Sequence, residues 1–205
     1  GEHVTVHSVV GESGQGLVAL DKSAIPTSNI GHAYAASMFE VAALTRLAKA
    51  AGKSCGVTAV VVTHGETDAS NPDYVSSLYR LYQDYNSDIA AITGQKSKLV
   101  VLLTQQQALP TEDSPPLSML AAWKLGLEHR GEFVCVGPKY QYQYAPDNVH
   151  LVARSYDQLG EKYGQVYYER IVCGRDWQPL QPLAVDRRGA CISVRFHVPA
   201  LPLVW

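Results

Sequence analysis

Continuous apolar runs alternate with helix-type patterns along most of this chain. Residues 57–62 and 98–104 are rich in valine and leucine, and residues 132–137 form a third run of similar length. Unbroken apolar runs of this length are typical of strands that are buried on both faces of a parallel sheet. Residues 3–10 predict one more strand, ahead of a glycine-rich turn at residues 11–16.

Helical patterns fill the segments between these runs. Residues 33–51 carry apolar side chains at helical spacing, and Gly52 stands where a C-cap belongs. Asn71 and Pro72 suit the N-cap and the first position of a second helix. Further helices are predicted from Ser114-Pro115 to about residue 130 and over residues 151–168. The apolar positions are Phe39, Ala43, Leu44 and Leu47 in the first helix, and Tyr74, Leu78, Leu81, Tyr82, Tyr85 and Ile89 in the second.

This order of elements predicts an α/β fold. Strand–helix repeats give right-handed crossovers, so we expect a three-layer sandwich with a mostly parallel sheet. After residue 168 the pattern changes, because Ile192, Val194 and Phe196 alternate with polar residues as in a half-exposed antiparallel strand. The sequence therefore predicts an α/β domain over residues 1–168 and a β-rich C-terminal segment over residues 169–205.

Composition narrows the class of protein. A chain of 205 residues with 46% hydrophobic content can bury the core of one domain. The net charge is -2 and Arg187-Arg188 is the only basic pair, which argues against nucleic acid as a partner. The apolar runs have strand length, so no membrane span is expected. The four cysteines lack metal-ligand spacing, and Cys173 could pair with Cys191 only in an oxidising compartment.

Polar loops follow three of the predicted strands, at residues 11–16, 63–71 and 138–150. Ligands of open parallel sheets bind beyond the carboxyl ends of the strands. Asp147 and His150 are a candidate acid–base pair in the last loop, although an aspartate can also cap a helix and a histidine can simply pack. Ser13 lies in the glycine-rich turn, which is also compatible with an ordinary turn.

Other side chains of these loops have two readings each. Glu66 and Asp68 either bind substrate or are solvated loop charges. Tyr140, Tyr142 and Tyr144 either form a stacking platform for sugar rings or line one face of an extended segment, and Tyr142 and Tyr144 are the candidates for substrate binding. His64 clusters with Glu66 and Asp68 on one turn without a distant partner, so we expect no metal and no other cofactor.

Two blocks together resemble a known family. His64-Gly-Glu-Thr-Asp-Ala69 after a valine-rich strand resembles the Gln-Gly-Glu-Ser-Asp-Ala block of SGNH (GDSL) hydrolases, in the branch of sialate O-acetylesterase-like carbohydrate esterases. Asp147-Asn-Val-His150-Leu and the helix after it resemble the closing Asp-x-x-His block of that family. The resemblance covers roughly residues 3–168. One departure is that His64 stands where the family has glutamine.

The resemblance implies a serine esterase that removes O-acetyl or similar acyl groups from a carbohydrate. His150 would be the general base and Asp147 would orient it. Backbone N–H groups of Gly14 and Gly65, with a ring nitrogen of His64, would hold the oxyanion. Such substrates imply an extracellular or periplasmic location, and the oligomeric state stays open.

The resemblance leaves two places for the nucleophilic serine. If Val10-Gly-Glu-Ser13 is a variant of the nucleophile block, the serine is Ser13. If the same turn is the family's second block, Gly14 is an oxyanion donor, Ser13 is structural and the serine lies upstream of Gly1. This uncertainty and the His64 departure keep a second function open, a non-catalytic carbohydrate- or protein-binding module on a hydrolase-like fold.

Overall fold

The computed structural model describes residues 4–106 and 117–200. The predicted helix start at Ser114 therefore lies outside the described residues. Helices and strands alternate from residue 33 to residue 167, and two consecutive strands follow. The elements are α1 (Ala33–Ala50), β1 (Ala59–Val62), α2 (Tyr74–Thr93), β2 (Val100–Gln105), α3 (Leu117–Glu128), β3 (Phe133–Pro138), α4 (Ala153–Tyr167), β4 (Gln181–Arg188) and β5 (Cys191–His197).

The chain divides into two compact units. The first contains the described residues up to Val57 together with Ser76–Lys98, and the second contains Thr58–Val75 and the described residues from Leu99 onward. Strands β1, β2 and β3, helices α3 and α4, and the polar loops at residues 63–71 and 138–150 belong to the second unit. The predicted division at residue 168 stays a prediction.

A three-stranded parallel sheet organises the second unit. Its strand order is β1-β2-β3, with Val61 opposite Leu102 and Leu102 opposite Val134. The amide N–H of Lys139 donates to the carbonyl oxygen of Gln105 at 3.0 Å, just beyond the register of β2 and β3. Because the strands are parallel, the loops that follow β1 and β3 leave the sheet at the same edge.

Helices pack against both faces of β3. Leu102 is 0% exposed and packs with Val134 and with Leu159 of α4 in one core cluster. Gly126 of α3 approaches the neighbouring strand position on the other side, since a Cβ at this glycine would lie 3.3 Å from the backbone nitrogen of Cys135. Successive strand residues point to opposite faces, so α4 and α3 lie on opposite sides of β3. The predicted α/β class with a parallel sheet is confirmed.

In the first unit, α1 and α2 pack through aromatic and polar contacts. The rings of Tyr34 and Tyr85 lie 5.0 Å apart, and the Ser37 hydroxyl is 3.0 Å from the Tyr85 hydroxyl. The Tyr34 hydroxyl donates to Asp88, which also pairs with Lys22 at 2.8 Å. The predicted apolar stripe of α2 is largely buried, whereas Phe39 and Leu47 of α1 are exposed.

The strand predicted over residues 3–10 is wrong for its described part. Residues 4–10 form no strand, and Val4, Val6 and Val9 are 77%, 57% and 96% exposed. Strand propensity depends on packing against neighbouring strands, and the described residues give this segment no ladder to join. The glycine-rich turn at residues 11–16 consequently does not follow a strand.

The predicted β-rich C-terminal segment is an antiparallel hairpin. Strands β4 and β5 pair with each other, with Val185 opposite Val194. Cys173 and Cys191 are free thiols, as are the other two cysteines in the described chain. Within residues 4–106 and 117–200, no helix is long and apolar enough to cross a membrane.

Candidate functional site

Asp147 and His150 form a directly bonded carboxylate–imidazole pair in the loop after β3. The Oδ2 atom of Asp147 lies 2.7 Å from Nδ1 of His150. The other carboxylate oxygen accepts the backbone N–H groups of Val149 and His150, each at 3.0 Å. The turn requires a left-handed backbone at Asn148, with φ 56°, which asparagine tolerates. One carboxylate group therefore holds both the imidazole ring and the turn that carries it.

Three hydrogen bonds stabilise the charged form of Asp147. Its bond to His150 and the two backbone N–H groups lower the pKa of this carboxyl to about 2. The side chains of His150 and Asp147 are 64% and 50% exposed. With the carboxylate at Nδ1, the ring of His150 has Nε2 left for contacts with other groups, and the predicted roles of both residues in catalysis stay predictions.

The alternative interpretation of Asp147 as a helix cap is wrong in its simple form. Helix α4 begins at Ala153, and its N-cap residue is Val152. Asp147 instead closes an Asx-type turn, and the N–H of Ala145 donates to the carbonyl oxygen of His150 at 2.8 Å. The pair is thus held by the loop itself.

The loop after β1 is tied to the end of β3 by an ion pair. Lys139 pairs with Glu66, and the Lys139 side chain is only 4% exposed. The ammonium group also lies 5.9 Å from the ring centre of Tyr144. Glu66 is therefore a paired charge rather than a solvated one, and its predicted role in substrate binding stays a prediction. Sequence reasoning missed Lys139, although a lysine directly after a buried strand is a signal for a partnered charge.

His64 is held on both sides of its ring. Its Nδ1 atom lies 2.9 Å from the Tyr74 hydroxyl, and its Nε2 atom lies 3.7 Å from Oδ2 of Asp68. The side chains of His64 and Asp68 are 13% and 14% exposed. The sequence placed Tyr74 only in the apolar stripe of α2, so its hydroxyl contact was not foreseen.

Gly65 is required by the geometry of this turn. Its φ is +132°, and an added Cβ would lie 2.8 Å from Cβ of Ser118 and 3.1 Å from the Tyr74 hydroxyl. A side chain at this position would be both strained and overlapped. The predicted role of the Gly65 N–H as an oxyanion donor stays a prediction.

Ser13 and Gly14 belong to the first unit, whereas Asp147 and His150 belong to the second. Ser13 is exposed, and Gly14 has φ +70° in the turn. The preceding residue, Glu12, accepts the N–H groups of Gly31, His32 and Ala33 at 2.6–3.0 Å, and these bonds lower its pKa. Glu12 thus satisfies donors at the start of α1, a role that the sequence did not reveal.

Tyr142 and Tyr144 are partly buried and pack against the core cluster beneath α4. Tyr144 also forms an isolated bridge with Leu151. The exposed ring of this loop is that of Tyr140, at 51%. Of the three tyrosines in the predicted platform, Tyr140 therefore has the ring that is open to a sugar, and substrate binding by Tyr142 and Tyr144 stays a prediction.

No group of three or more histidine, cysteine or carboxylate side chains is arranged to hold a metal ion within the described part of the chain. A cavity of about 40 Å³ lies at the amino end of β3, lined in part by Trp123, Phe133 and Trp177. That volume suits one or a few water molecules rather than a sugar ester. It also lies at the opposite end of β3 from Asp147 and His150.

No family model, no characterised protein and no solved structure matches this chain. The functional argument therefore depends on the geometry of the two loops and on the chemistry of their side chains.

Proposed function

We propose that this chain is an esterase of the SGNH type that removes O-acetyl or similar acyl groups from a carbohydrate. The observation that carries the proposal is the 2.7 Å contact between Asp147 and His150, on a loop at the carboxyl edge of a parallel sheet. The helices on opposite faces of β3 are compatible with the three-layer sandwich of that family. Esters of extracellular polysaccharides are the natural substrates, so we propose an extracellular or periplasmic location.

The proposed chemistry uses His150 twice. In the first step Nε2 of His150 takes the proton of a serine hydroxyl as the oxygen attacks the ester carbonyl, and the Asp147 carboxylate stabilises the imidazolium. The protonated ring then gives its proton to the sugar alkoxide, which leaves as an alcohol. A water molecule, deprotonated by the same nitrogen, attacks the acyl-serine, and the ring returns this proton to the serine oxygen as the carbon–oxygen bond breaks and the acid leaves. Neither step needs a cofactor.

A single labelling experiment tests which serine is the nucleophile. The chain is treated with a fluorophosphonate probe, digested and mapped by mass spectrometry, while hydrolysis of p-nitrophenyl acetate and of acetylated sugars is followed in parallel. Label on Ser13, lost in His150→Ala together with hydrolysis, identifies a Gly-Glu-Ser nucleophile block. Hydrolysis without label on Ser13 directs the search to another serine, and unchanged hydrolysis by His150→Ala would refute the proposal.

Two observations favour the second candidate, a non-catalytic carbohydrate-binding module. The turn around Ser13 follows no strand in the described chain, and its Glu12 is engaged in capping α1. Both facts give this turn a structural role of its own. Such a module would bind glycans through the exposed ring of Tyr140, so Tyr140→Ala would abolish binding while His150→Ala would retain it. The partly buried Tyr142 serves as the matched aromatic control in a glycan-array experiment.

A further inference from the structure

The Tyr74 hydroxyl contacts His64 at two points. It lies 2.9 Å from the backbone carbonyl oxygen of His64 and 2.9 Å from Nδ1 of the same residue. The Tyr74 side chain is 2% exposed at the first position of α2. Burial and the negative charges of Asp68 and Glu66 raise the pKa of this phenol, so it remains protonated at neutral pH.

The two contacts together fix which atom donates. A phenol has one proton, and a carbonyl oxygen can only accept. Both contacts are hydrogen bonds only if the Tyr74 hydroxyl donates to the carbonyl oxygen and accepts from Nδ1. The opposite assignment would place the phenol and carbonyl oxygens 2.9 Å apart with no proton between them.

We infer that Tyr74 is a positioning residue that keeps a proton on Nδ1 of His64, so that Nε2 carries none in the neutral ring. That nitrogen faces the Asp68 carboxylate at 3.7 Å. The neutral imidazole of free histidine prefers its proton on Nε2, so the hydroxyl imposes the less common tautomer. One hydrogen bond donated and one accepted by the same buried hydroxyl also keep the ring and the backbone of residue 64 in a fixed relation.

This arrangement restricts what His64 can contribute to ester hydrolysis, a consequence that rests on the proposed function. Nδ1 is engaged by Tyr74, so a donor to a developing oxyanion can come only from Nε2. That nitrogen faces Asp68, and donation to substrate would compete with this carboxylate. His64 therefore does not replace the family's glutamine as a simple neutral donor.

The tautomer is measured by long-range ¹H–¹⁵N correlation NMR on the uniformly ¹⁵N-labelled full chain. Signals of His64 are assigned by their loss in His64→Gln, and spectra are recorded over a pH series until the ring is neutral. We expect a pyrrole-type Nδ1 and a pyridine-type Nε2. In Tyr74→Phe the pattern should reverse, whereas Tyr140→Phe, which removes an exposed hydroxyl from the same unit, should leave it unchanged.

A pyridine-type Nδ1 in the native chain, or an unaltered tautomer in Tyr74→Phe, would overturn the inference. If circular dichroism shows that Tyr74→Phe does not fold, the spectrum of the native chain decides alone. Kinetics separate this inference from the proposed function. In an active esterase Tyr74→Phe should lower kcat by about tenfold with little change in KM, because positioning rather than binding is lost. A native chain that hydrolyses no ester would refute the function, while the NMR spectrum would still decide the tautomer.

Discussion

Replacing Gly65 by alanine gives the sharpest test of the geometry around His64. At φ +132° a residue with a side chain is strained by about 1–3 kcal/mol. The new Cβ would also lie 2.8 Å from Cβ of Ser118, an overlap of the kind that costs about 1–3 kcal/mol in a packed interior. The two contributions add to about 4 kcal/mol, a large share of the 5–15 kcal/mol that typically stabilises a domain.

Urea denaturation followed by circular dichroism measures this change. With a slope of about 2 kcal/mol per M, the midpoint of Gly65→Ala should fall by about 2 M. The matched control is Gly160→Ala in α4, where an added Cβ meets nothing within 4 Å and alanine favours the helix by up to about 1 kcal/mol. In a Ser118→Gly background the overlap is relieved but the strain is not, so the cost of Gly65→Ala should shrink by roughly half. Equal stability of Gly65→Ala and the native chain would refute the reasoning.

Three further predictions concern charges and hydroxyls of the second unit. The pKa of Asp147 is lowered to about 2, below the ordinary value of about 3.9, so the bond between its carboxylate and the imidazole of His150 should persist above pH 4 and weaken as the pH falls toward 2. The ring signals of His150 in an NMR pH titration measure this change. Asp147→Asn is the control and should remove the change at low pH. Lys139→Met should destabilise the fold by about 2 kcal/mol in urea because Glu66 loses its partner, and adding Glu66→Gln should recover part of the loss. Tyr163→Phe should cost about 1–3 kcal/mol, since this buried hydroxyl bonds Thr63 just after β1 and Thr104 within β2; thermal unfolding of the variant tests it.

Local pattern was sufficient for the central elements of the fold. The apolar runs that became β2 and β3 are continuous because these strands are largely buried, whereas β1 leaves Val61 52% exposed, so the prediction that residues 57–62 are buried on both faces is wrong. The apolar stripe of α2 has helical spacing, and Leu78 and Ile89 are 3% and 2% exposed as expected. In these segments, the spacing of the apolar residues marks the face of the element that packs, so periodicity predicts which residues are buried.

Local pattern failed where a residue's role depends on a distant partner. Residues 4–10 have strand composition but no neighbouring strand among the described residues, so they form no strand and are largely exposed. Glu66 pairs with Lys139, which is 73 positions away along the chain, and His64 contacts Tyr74, which is 10 positions away. Only the fold brings such side chains together. The Asp147–His150 pair was predictable because its members are three residues apart in one turn.

The ion pair between Glu66 and Lys139 has a consequence for how sequences of this fold can diverge. Each charge is tolerated in a mostly buried position because the other is present, so loss of one alone leaves an unbalanced partner. Substitution at position 66 should therefore be accompanied by substitution at position 139. The loops after β1 and β3, which are far apart along the chain, would then evolve as one linked unit, with these two positions showing the strongest covariation between them.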